Sequence, residues 1–179
     1  MKILKRILFV VLAIIGLALI AGLFIKKEMH AEREAVINKS KAEVFAYVKN
    51  LKNQNDYSKW SSMDPNMKKE FTGTDGTVGF ISAWESEKDD VGKGEQKITA
   101  IKEGERIDYE IHFIKPMEST ATAYMITEAV SENQTKVRWG FDGKMNYPFN
   151  VMRIFMDMDK MIGDDFGVGL TNLKAKMEK

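Results

Sequence analysis

The side chains able to carry out covalent chemistry are few in this sequence. It contains no cysteine, which excludes disulfides, thiolate metal ligands and cysteine nucleophiles. The two histidines, His30 and His112, are too few for a zinc site built on several imidazoles. His112 falls on the polar face of a predicted strand, where we expect a surface histidine rather than a member of a catalytic triad. We predict no catalytic residue, no metal and no cofactor.

Adjacent carboxylates occur twice and could in principle bind a cation or move a proton. Asp89 and Asp90 precede a glycine in a predicted turn, where acidic residues are common. Asp164 and Asp165 fall on the charged, solvated face expected of the C-terminal helix. The glycine-rich residues 73–79 lack the Lys-Ser/Thr ending of a phosphate loop and are interpreted as a turn. A carboxylate-only metal site stays open as an alternative.

Aromatic and methionine side chains suggest a different chemistry, the binding of an apolar molecule. Twelve methionines give adaptable apolar surface, and tryptophan and tyrosine combine a ring with one polar atom. Ordinary core packing is the alternative for each of them. The residues expected to touch a ligand are Trp84, Tyr109, Tyr124, Trp139, Phe155 and Phe166.

The N-terminal segment must be separated from the elements that would position these side chains. Residues 7–25 carry no charge and would form a helix about 28 Å long, close to the ~30 Å hydrocarbon core of a bilayer. The stretch is longer than the apolar region of most signal peptides and ends in large residues before Lys26 and Lys27. We therefore predict an uncleaved anchor and linker over residues 1–33. A cleaved signal peptide and a buried core helix are the alternatives.

Charge around this helix bears on its orientation and on possible partners. Lys2, Lys5 and Arg6 before the helix favour a cytoplasmic N-terminus, which would place residues 34–179 on the extracytoplasmic side of a single-pass protein. The whole chain has a net charge of +1, but acidic residues outnumber basic ones after residue 33. A nucleic-acid partner is excluded on this balance.

Periodicity divides residues 34–179 into a strand, one or two short helices, a sheet and a last helix. The first strand is expected from the alternation around residues 35–38. Ser40 followed by Glu43 has the spacing of a capping box and predicts a helix start. About six strands are then expected over residues 69–143, where apolar and polar residues alternate between turns. Apolar residues recur every three or four positions from Pro148 to the C-terminus and predict one long amphipathic helix.

Three glycines, Gly163, Gly167 and Gly169, fall inside that last helix. Each costs up to ~1 kcal/mol relative to alanine in a helix interior, which indicates close approach to a sheet, room beside a cavity, or a kink. Strands without intervening helices favour an antiparallel sheet. The sequence therefore predicts an α+β helix-grip fold, a curved antiparallel sheet wrapped around a long C-terminal helix, with a cavity of a few hundred Å³ between them.

Four segments carry a resemblance to a known superfamily. They are VINKSKAEVFAYVKNLKN at 36–53, YSKW at 57–60, TKVRWGFDG at 135–143 and GLTNLKAKME at 169–178. In this order they resemble the SRPBCC superfamily, which includes START lipid-transfer domains, the birch-pollen-allergen fold and the polyketide cyclase and dehydrase group. The resemblance covers nearly all of residues 34–179. It implies the helix-grip fold and binding of lipids, sterols, hormones or polyketides.

Three functions follow as hypotheses. The first is a membrane-anchored, noncatalytic module that holds a hydrophobic small molecule or lipid between sheet and helix. The second is a polyketide cyclase/dehydrase-like enzyme, whose acid-base group would be a pocket tyrosine or carboxylate. The third is a structural envelope protein without a ligand. The candidate acid-base residues for the second are Tyr109, Tyr124, Glu85 and Asp142.

Overall fold

The computed structural model describes residues 2–179 and orders them as helix, strand, short helices, six strands and a last helix. Two 3₁₀ segments, Leu51–Asp56 and Phe149–Ile154, lie between these elements. The helices are α1 (Lys2–Gly22), α2 (Lys41–Lys49), α3 (Lys59–Met63) and α4 (Met158–Met177). The strands are β1 (Glu28–Ile37), β2 (Lys68–Thr72), β3 (Ile81–Glu85), β4 (Lys93–Lys102), β5 (Arg106–Lys115), β6 (Ser119–Ser131) and β7 (Gln134–Lys144).

All seven strands form one antiparallel sheet in the order β1-β7-β6-β5-β4-β3-β2. The first strand pairs with the last, for example Ala31 opposite Phe141, and the others follow as hairpins. Side chains alternate across the sheet, so that Val137, Trp139 and Phe141 are all buried on the inner face. The predicted α+β helix-grip fold, an antiparallel sheet with a long C-terminal helix, is confirmed.

Helix α2 begins where its sequence predicts. The Ser40 hydroxyl accepts a hydrogen bond from the Glu43 backbone N–H at 3.4 Å, and the Glu43 carboxylate accepts one from the Ser40 N–H at 3.1 Å. This capping box satisfies two N–H groups that the first helical turn leaves unpaired. Val44 and Val48 are then fully buried against the sheet.

The prediction of one continuous helix from Pro148 to the C-terminus is wrong. Residues Phe149–Ile154 form a separate 3₁₀ turn, and α4 begins only after Asp157, whose carboxylate accepts a hydrogen bond from the Lys160 N–H at 2.9 Å. The physical reason is a tertiary contact: the Asn150 side chain donates hydrogen bonds to the carbonyls of Gly22 and Ile25, which fixes this segment against the end of α1. The apolar residues do recur every three or four positions, but they belong to two elements, the 3₁₀ segment and α4.

The glycines of α4 allow close packing on the sheet at two of three positions. A Cβ on Gly163 would lie 2.5 Å from the Arg33 guanidinium, and one on Gly169 would lie 2.7 Å from the Trp139 ring. A Cβ on Gly167 would meet nothing within 4 Å. Close approach to β1 explains Gly163, and close approach to β7 explains Gly169.

The N-terminal region contains the one helix among residues 2–179 that is long and apolar enough to cross a membrane, Lys2–Gly22. The sheet begins earlier than the domain boundary expected at residue 34, because Glu28–Ile37 pairs with β7 along its whole length. The alternation around residues 35–38 predicted the end of this strand, but charged residues on both faces of its first part, such as Glu32 and Arg33, hid its beginning. Only a short connection, residues 23–27, separates the apolar helix from the sheet.

Candidate ligand-binding cavity

A cavity of 620 Å³ lies between the inner face of the sheet and helices α3 and α4. Its volume is within the ~300 to 1,000 Å³ usual for small-molecule sites. The inner face of β6 leaves room here because the buried residue that it contributes to the wall, Ala123, is small. The curved sheet and the helix therefore enclose room for a ligand, as the fold argument predicted.

Apolar side chains form most of the wall. Three aromatic pairs shape it: Trp139 stacks on Phe166 with ring centroids 4.5 Å apart. Trp60 meets Phe166 edge-on at 5.8 Å, and Trp84 meets Phe113 edge-on at 6.2 Å. The apolar lining residues are Met29, Leu51, Trp60, Met67, Ala83, Trp84, Val91, Ile111, Phe113, Pro116, Met117, Ala123, Trp139, Phe141, Met145, Tyr147, Phe149, Met158, Ile162 and Phe166.

Trp84 is fixed rather than free to turn. Its indole N–H donates a hydrogen bond to the Val91 carbonyl at 3.1 Å, and this donor is therefore already occupied within the protein. Its ring packs over Gly94, where a Cβ would come within 2.6 Å of it. The indole therefore presents an apolar edge to the cavity. Two buried polar residues, Ser58 and Gln96, also lie on the wall and can orient a ligand through a hydroxyl and an amide.

Formal charge is confined to the rim. Among the described residues that line the cavity, the charged ones are Lys69, Lys115, Glu118 and Lys144, of which the last three are exposed. Three ammonium groups against one carboxylate leave the rim positive, while the interior is apolar. This arrangement suits an apolar molecule that carries an acidic or strongly polar end.

The structure brings Trp84, Trp139 and Phe166 together on the cavity wall, out of the six residues expected to touch a ligand. It does not place Tyr109, Tyr124 or Phe155 there. Tyr109 points inward but is packed within the core, where burial raises its pKa. Phe155 is 81% exposed, because α4 begins three residues after it.

Tyr124 lies on the opposite face of the sheet. Its ring covers Gly140, and its hydroxyl donates a hydrogen bond to the Glu32 carboxylate at 2.6 Å. The Arg106 guanidinium lies 4.4 Å from the ring centroid. Burial and the hydrogen bond to Glu32 raise the pKa of Tyr124 to about 12, so it is a neutral structural donor at ordinary pH. The expectation that it walls the cavity assigned the wrong face of β6.

The two candidate carboxylates also lie off the wall. The Glu85 carboxylate lies 3.1 Å from the Lys93 ammonium and forms an ion pair with it. The Asp142 carboxylate lies 2.7 Å from Nδ1 of His30, within hydrogen-bond distance. Sequence reasoning missed Gln96, although its place two residues before the buried Ile98 gives it the same facing as that core residue. Strand parity was the signal that could have found it.

Comparison of the sequence with known families identifies the family of this chain. A family described as polyketide cyclase / dehydrase and lipid transport matches residues 28–178, from the first residue of β1 to the end of α4. The chain belongs to that family. This match, together with the solved structures, supports the predicted SRPBCC superfamily. No curated protein matches the chain significantly in sequence.

Solved structures share the family's fold at low sequence identity. The chain is similar to XoxI from Bacillus cereus, with 14% identity and a TM-score of 0.61 over 84% of this chain and 96% of that one. It is similar to major latex-like protein 151 from Panax ginseng, with 13% identity and a TM-score of 0.59 over 85% and 99% of the two chains. It is also similar to the Aha1 dimer from Colwellia psychrerythraea, with 16% identity and a TM-score of 0.56 over 84% of this chain and 96% of that one. These likenesses establish the fold.

Proposed function

We propose that this family member is a membrane-anchored module that binds a hydrophobic small molecule or lipid in the cavity, without catalysing a reaction. The observation that carries the proposal is the 620 Å³ cavity with its apolar wall and basic rim. Burial of an alkyl chain against such a wall contributes about 0.8 kcal/mol per methylene group. A lipid tail of moderate length would therefore be held against exchange into water.

The anchor is residues 7–25, of which residues 7–22 lie in α1. Its apolar side chains are exposed, for example Phe9 at 78% and Leu17 at 67%, and in water this surface would be strongly unfavourable. Insertion into a bilayer removes the cost, because the helix satisfies its own backbone hydrogen bonds. Lys2, Lys5 and Arg6 support a cytoplasmic N-terminus, with the sheet domain on the extracytoplasmic side.

The positions of the acid-base candidates support a noncatalytic role. Catalysis by a tyrosine or carboxylate needs that group within hydrogen-bond reach of the substrate. Tyr109, Tyr124, Glu85 and Asp142 are all absent from the cavity wall. The tyrosine and the carboxylate that do line the cavity, Tyr147 and Glu118, lie at its exposed mouth. A purely structural envelope role is less well supported, since it gives no reason to maintain an open interior in a domain whose native packing is otherwise dense.

The test compares two adjacent substitutions on β6. Ala123→Phe would project a ring into the cavity, whereas Thr122→Phe places the same ring on the exposed outer face. The full-length protein would be purified in mild detergent from its expression host, and bound lipids or small molecules identified by mass spectrometry of organic extracts. We expect a stoichiometric apolar ligand from wild type and Thr122→Phe, and loss of it from Ala123→Phe. Recovery of equal amounts from all three would overturn the proposal, as would recovery of none from wild type.

A further inference from the structure

An unusual apolar surface lies between β7 and α4, in residues 147–156, which we call the apolar segment. Six of its large apolar side chains are exposed: Tyr147, Phe149, Met152, Ile154, Phe155 and Met156. Phe155 is 81% and Ile154 is 52% exposed. A contiguous exposed apolar stretch of this kind marks a surface that is covered in the functional state.

The apolar segment is fixed to the C-terminal end of α1. The fully buried Asn150 side chain donates hydrogen bonds to the carbonyls of Gly22 at 2.7 Å and Ile25 at 3.1 Å. Gly22 packs so closely on Val151 that a Cβ there would lie 2.6 Å from its side chain. The Met145 N–H also donates to the Lys27 carbonyl at 2.8 Å. Three polar and steric contacts therefore hold the segment at the end of the apolar helix, and the bond from Met145 fixes the chain just before it.

The length of α1 places that end at a membrane surface. The first turns of α1 carry Lys2, Lys5 and Arg6, so the uncharged stretch that can cross the hydrocarbon is residues 7–25; its helical part, residues 7–22, extends about 24 Å at ~1.5 Å each, against a core of ~30 Å. When this stretch spans, Gly22 lies within about one helical turn of the boundary between hydrocarbon and headgroups, and Ile25 lies at that boundary. Whatever is bound to Gly22 and Ile25 lies at that boundary as well.

The charges at this end suit the headgroup region. Lys26, Lys27 and Lys144 are exposed beside the apolar segment, and each basic group near an anionic membrane contributes about 1 kcal/mol. Of the nearby acidic residues, Asp157 caps α4 and Asp159 pairs with Arg153 at 2.9 Å. Exposed Glu28 lies opposite Lys144 across β1 and β7 and offsets one of the three lysines, which leaves this end of the protein net positive. Apolar side chains flanked by lysines are the composition of a segment that lies in a membrane interface.

The mouth of the cavity opens at the same place. The lining residues that are also exposed come from two neighbouring stretches, residues 115–118 between β5 and β6 and residues 144–149 at the end of β7. Tyr147 and Phe149 belong to both the cavity lining and the apolar segment. An apolar segment seated in the interface therefore brings the mouth against the lipid.

We propose that the apolar segment docks into the interface of the leaflet that contains the C-terminal end of α1, so that the cavity exchanges its ligand directly with that leaflet. This inference rests on the proposed anchor and ligand-binding function. The occupant of the exposed surface is the lipid bilayer itself. Phe155, Ile154 and Met152 enter the acyl boundary, the lysines meet the headgroups, and the ligand reaches the cavity without crossing water.

The absence of cysteine makes a depth measurement direct, since each single-cysteine variant carries one label. Full-length protein in vesicles of phosphatidylcholine and phosphatidylglycerol would be labelled at Phe155→Cys with a polarity-sensitive fluorophore. Leu12→Cys, in the middle of α1, reports on the anchor. Val130→Cys is the matched control: it is 55% exposed and apolar, and the 11 residues of β7, at ~3.3 Å each, put roughly 30 Å between its hairpin and Lys144.

We expect blue-shifted emission and quenching by lipids spin-labelled near the headgroup at position 155, quenching by deeply labelled lipids at position 12, and aqueous emission at position 130. A lipid-embedded label at position 12 with an aqueous label at position 155 would overturn the docking and leave the anchor standing. Aqueous emission at position 12 would refute the anchor, and the docking with it. In a second arm, the exposed double substitution Met152→Glu and Phe155→Glu should abolish quenching near the interface and slow uptake of a fluorescent fatty acid from vesicles. Val130→Glu should change neither, and uptake unchanged in the double variant would refute exchange through this mouth.

Discussion

The indole of Trp139 on β7 stacks on the ring of Phe166 on α4, with centroids 4.5 Å apart and ring planes 17° from parallel. Trp139 also meets Tyr57 edge-on at 5.7 Å. Trp139 is 2% exposed. Its side chain therefore contacts both the last helix and the region after the first 3₁₀ segment, and it also forms part of the cavity wall. Structural support and ligand contact therefore coincide at this residue, and the two must be separated by experiment.

Trp139→Ala is expected to destabilise the protein by about 3 to 5 kcal/mol, because it removes a fully buried ring and enlarges the adjoining cavity. Urea unfolding followed by far-ultraviolet circular dichroism measures this. Phe155→Ala is the control, since its ring is 81% exposed, and should change stability by less than about 0.5 kcal/mol in detergent. A loss below 1 kcal/mol for Trp139→Ala would show that the stack does not hold the helix on the sheet.

Two glycines of α4 should respond to alanine with opposite signs. Gly169→Ala would place a Cβ 2.7 Å from Trp139 Cζ3, so the ring or the helix must shift, at a cost of about 1 to 3 kcal/mol. Gly167→Ala meets nothing within 4 Å and gains up to ~1 kcal/mol of helix propensity. Thermal unfolding of the two variants beside wild type checks this. Stabilisation by both would mean that α4 does not approach the sheet as closely as Gly169 implies.

The elements whose signals are local could be predicted from the sequence. The capping box of Ser40 and Glu43, the alternation through Val137 to Phe141 and the order of strands and helix all appear in short windows of residues. The face of Tyr124 could not be assigned in this way. It lies between the buried Ala123 and Met125, and its outward position over Gly140 depends on a neighbouring strand.

The start of the last helix also depends on contacts that are distant in sequence. Val151 and Phe155 have helical spacing relative to the residues of α4, so periodicity joined them into one helix. The break depends on Asn150, whose partners Gly22 and Ile25 are more than a hundred residues away in sequence. Long-range contacts of this kind leave no periodic signal. For this reason the cavity could be anticipated from the fold, while half of its expected wall residues were misplaced.

Asn150→Ala should loosen the junction between α1 and the sheet domain. It leaves the Gly22 and Ile25 carbonyls without their donor, and an unsatisfied buried polar group costs about 1 to 3 kcal/mol. Hydrogen exchange at residues 23–27 and 149–154 should rise selectively, with β4 and β5 unchanged. Asn55→Ala, which removes a hydrogen bond to the Lys52 carbonyl within one turn, is the control and should leave the junction protected. Equal exchange in both variants would contradict the junction.

Acid sensitivity should involve a contact at the far end of α4. The Asp56 carboxylate accepts a hydrogen bond from the Tyr47 hydroxyl at 2.9 Å and lies 2.8 Å from the Lys176 ammonium. The hydrogen bond from Lys176, followed by that from Tyr47, lowers the pKa of Asp56. A carboxylate with a lowered folded-state pKa stabilises the protein above its unfolded pKa, about 3.9 for aspartate, and loses that contribution as the pH falls through the folded value.

Asp56→Asn should therefore be less stable than wild type at pH 7, and the difference should shrink as the pH falls from about 4 to about 2. The side chain is 44% exposed, so the difference at pH 7 should be no more than about 1 kcal/mol and should weaken in high salt. Urea unfolding at several pH values measures it, and the carboxylates common to both proteins cancel in the comparison. Asp89→Asn, in an exposed turn, is the matched control and should change the stability at pH 7 little. A difference between wild type and Asp56→Asn that stays constant down to pH 2 would show that the lost contact acts through shape or neutral hydrogen bonding, and that the charge of Asp56 contributes nothing to holding the end of α4.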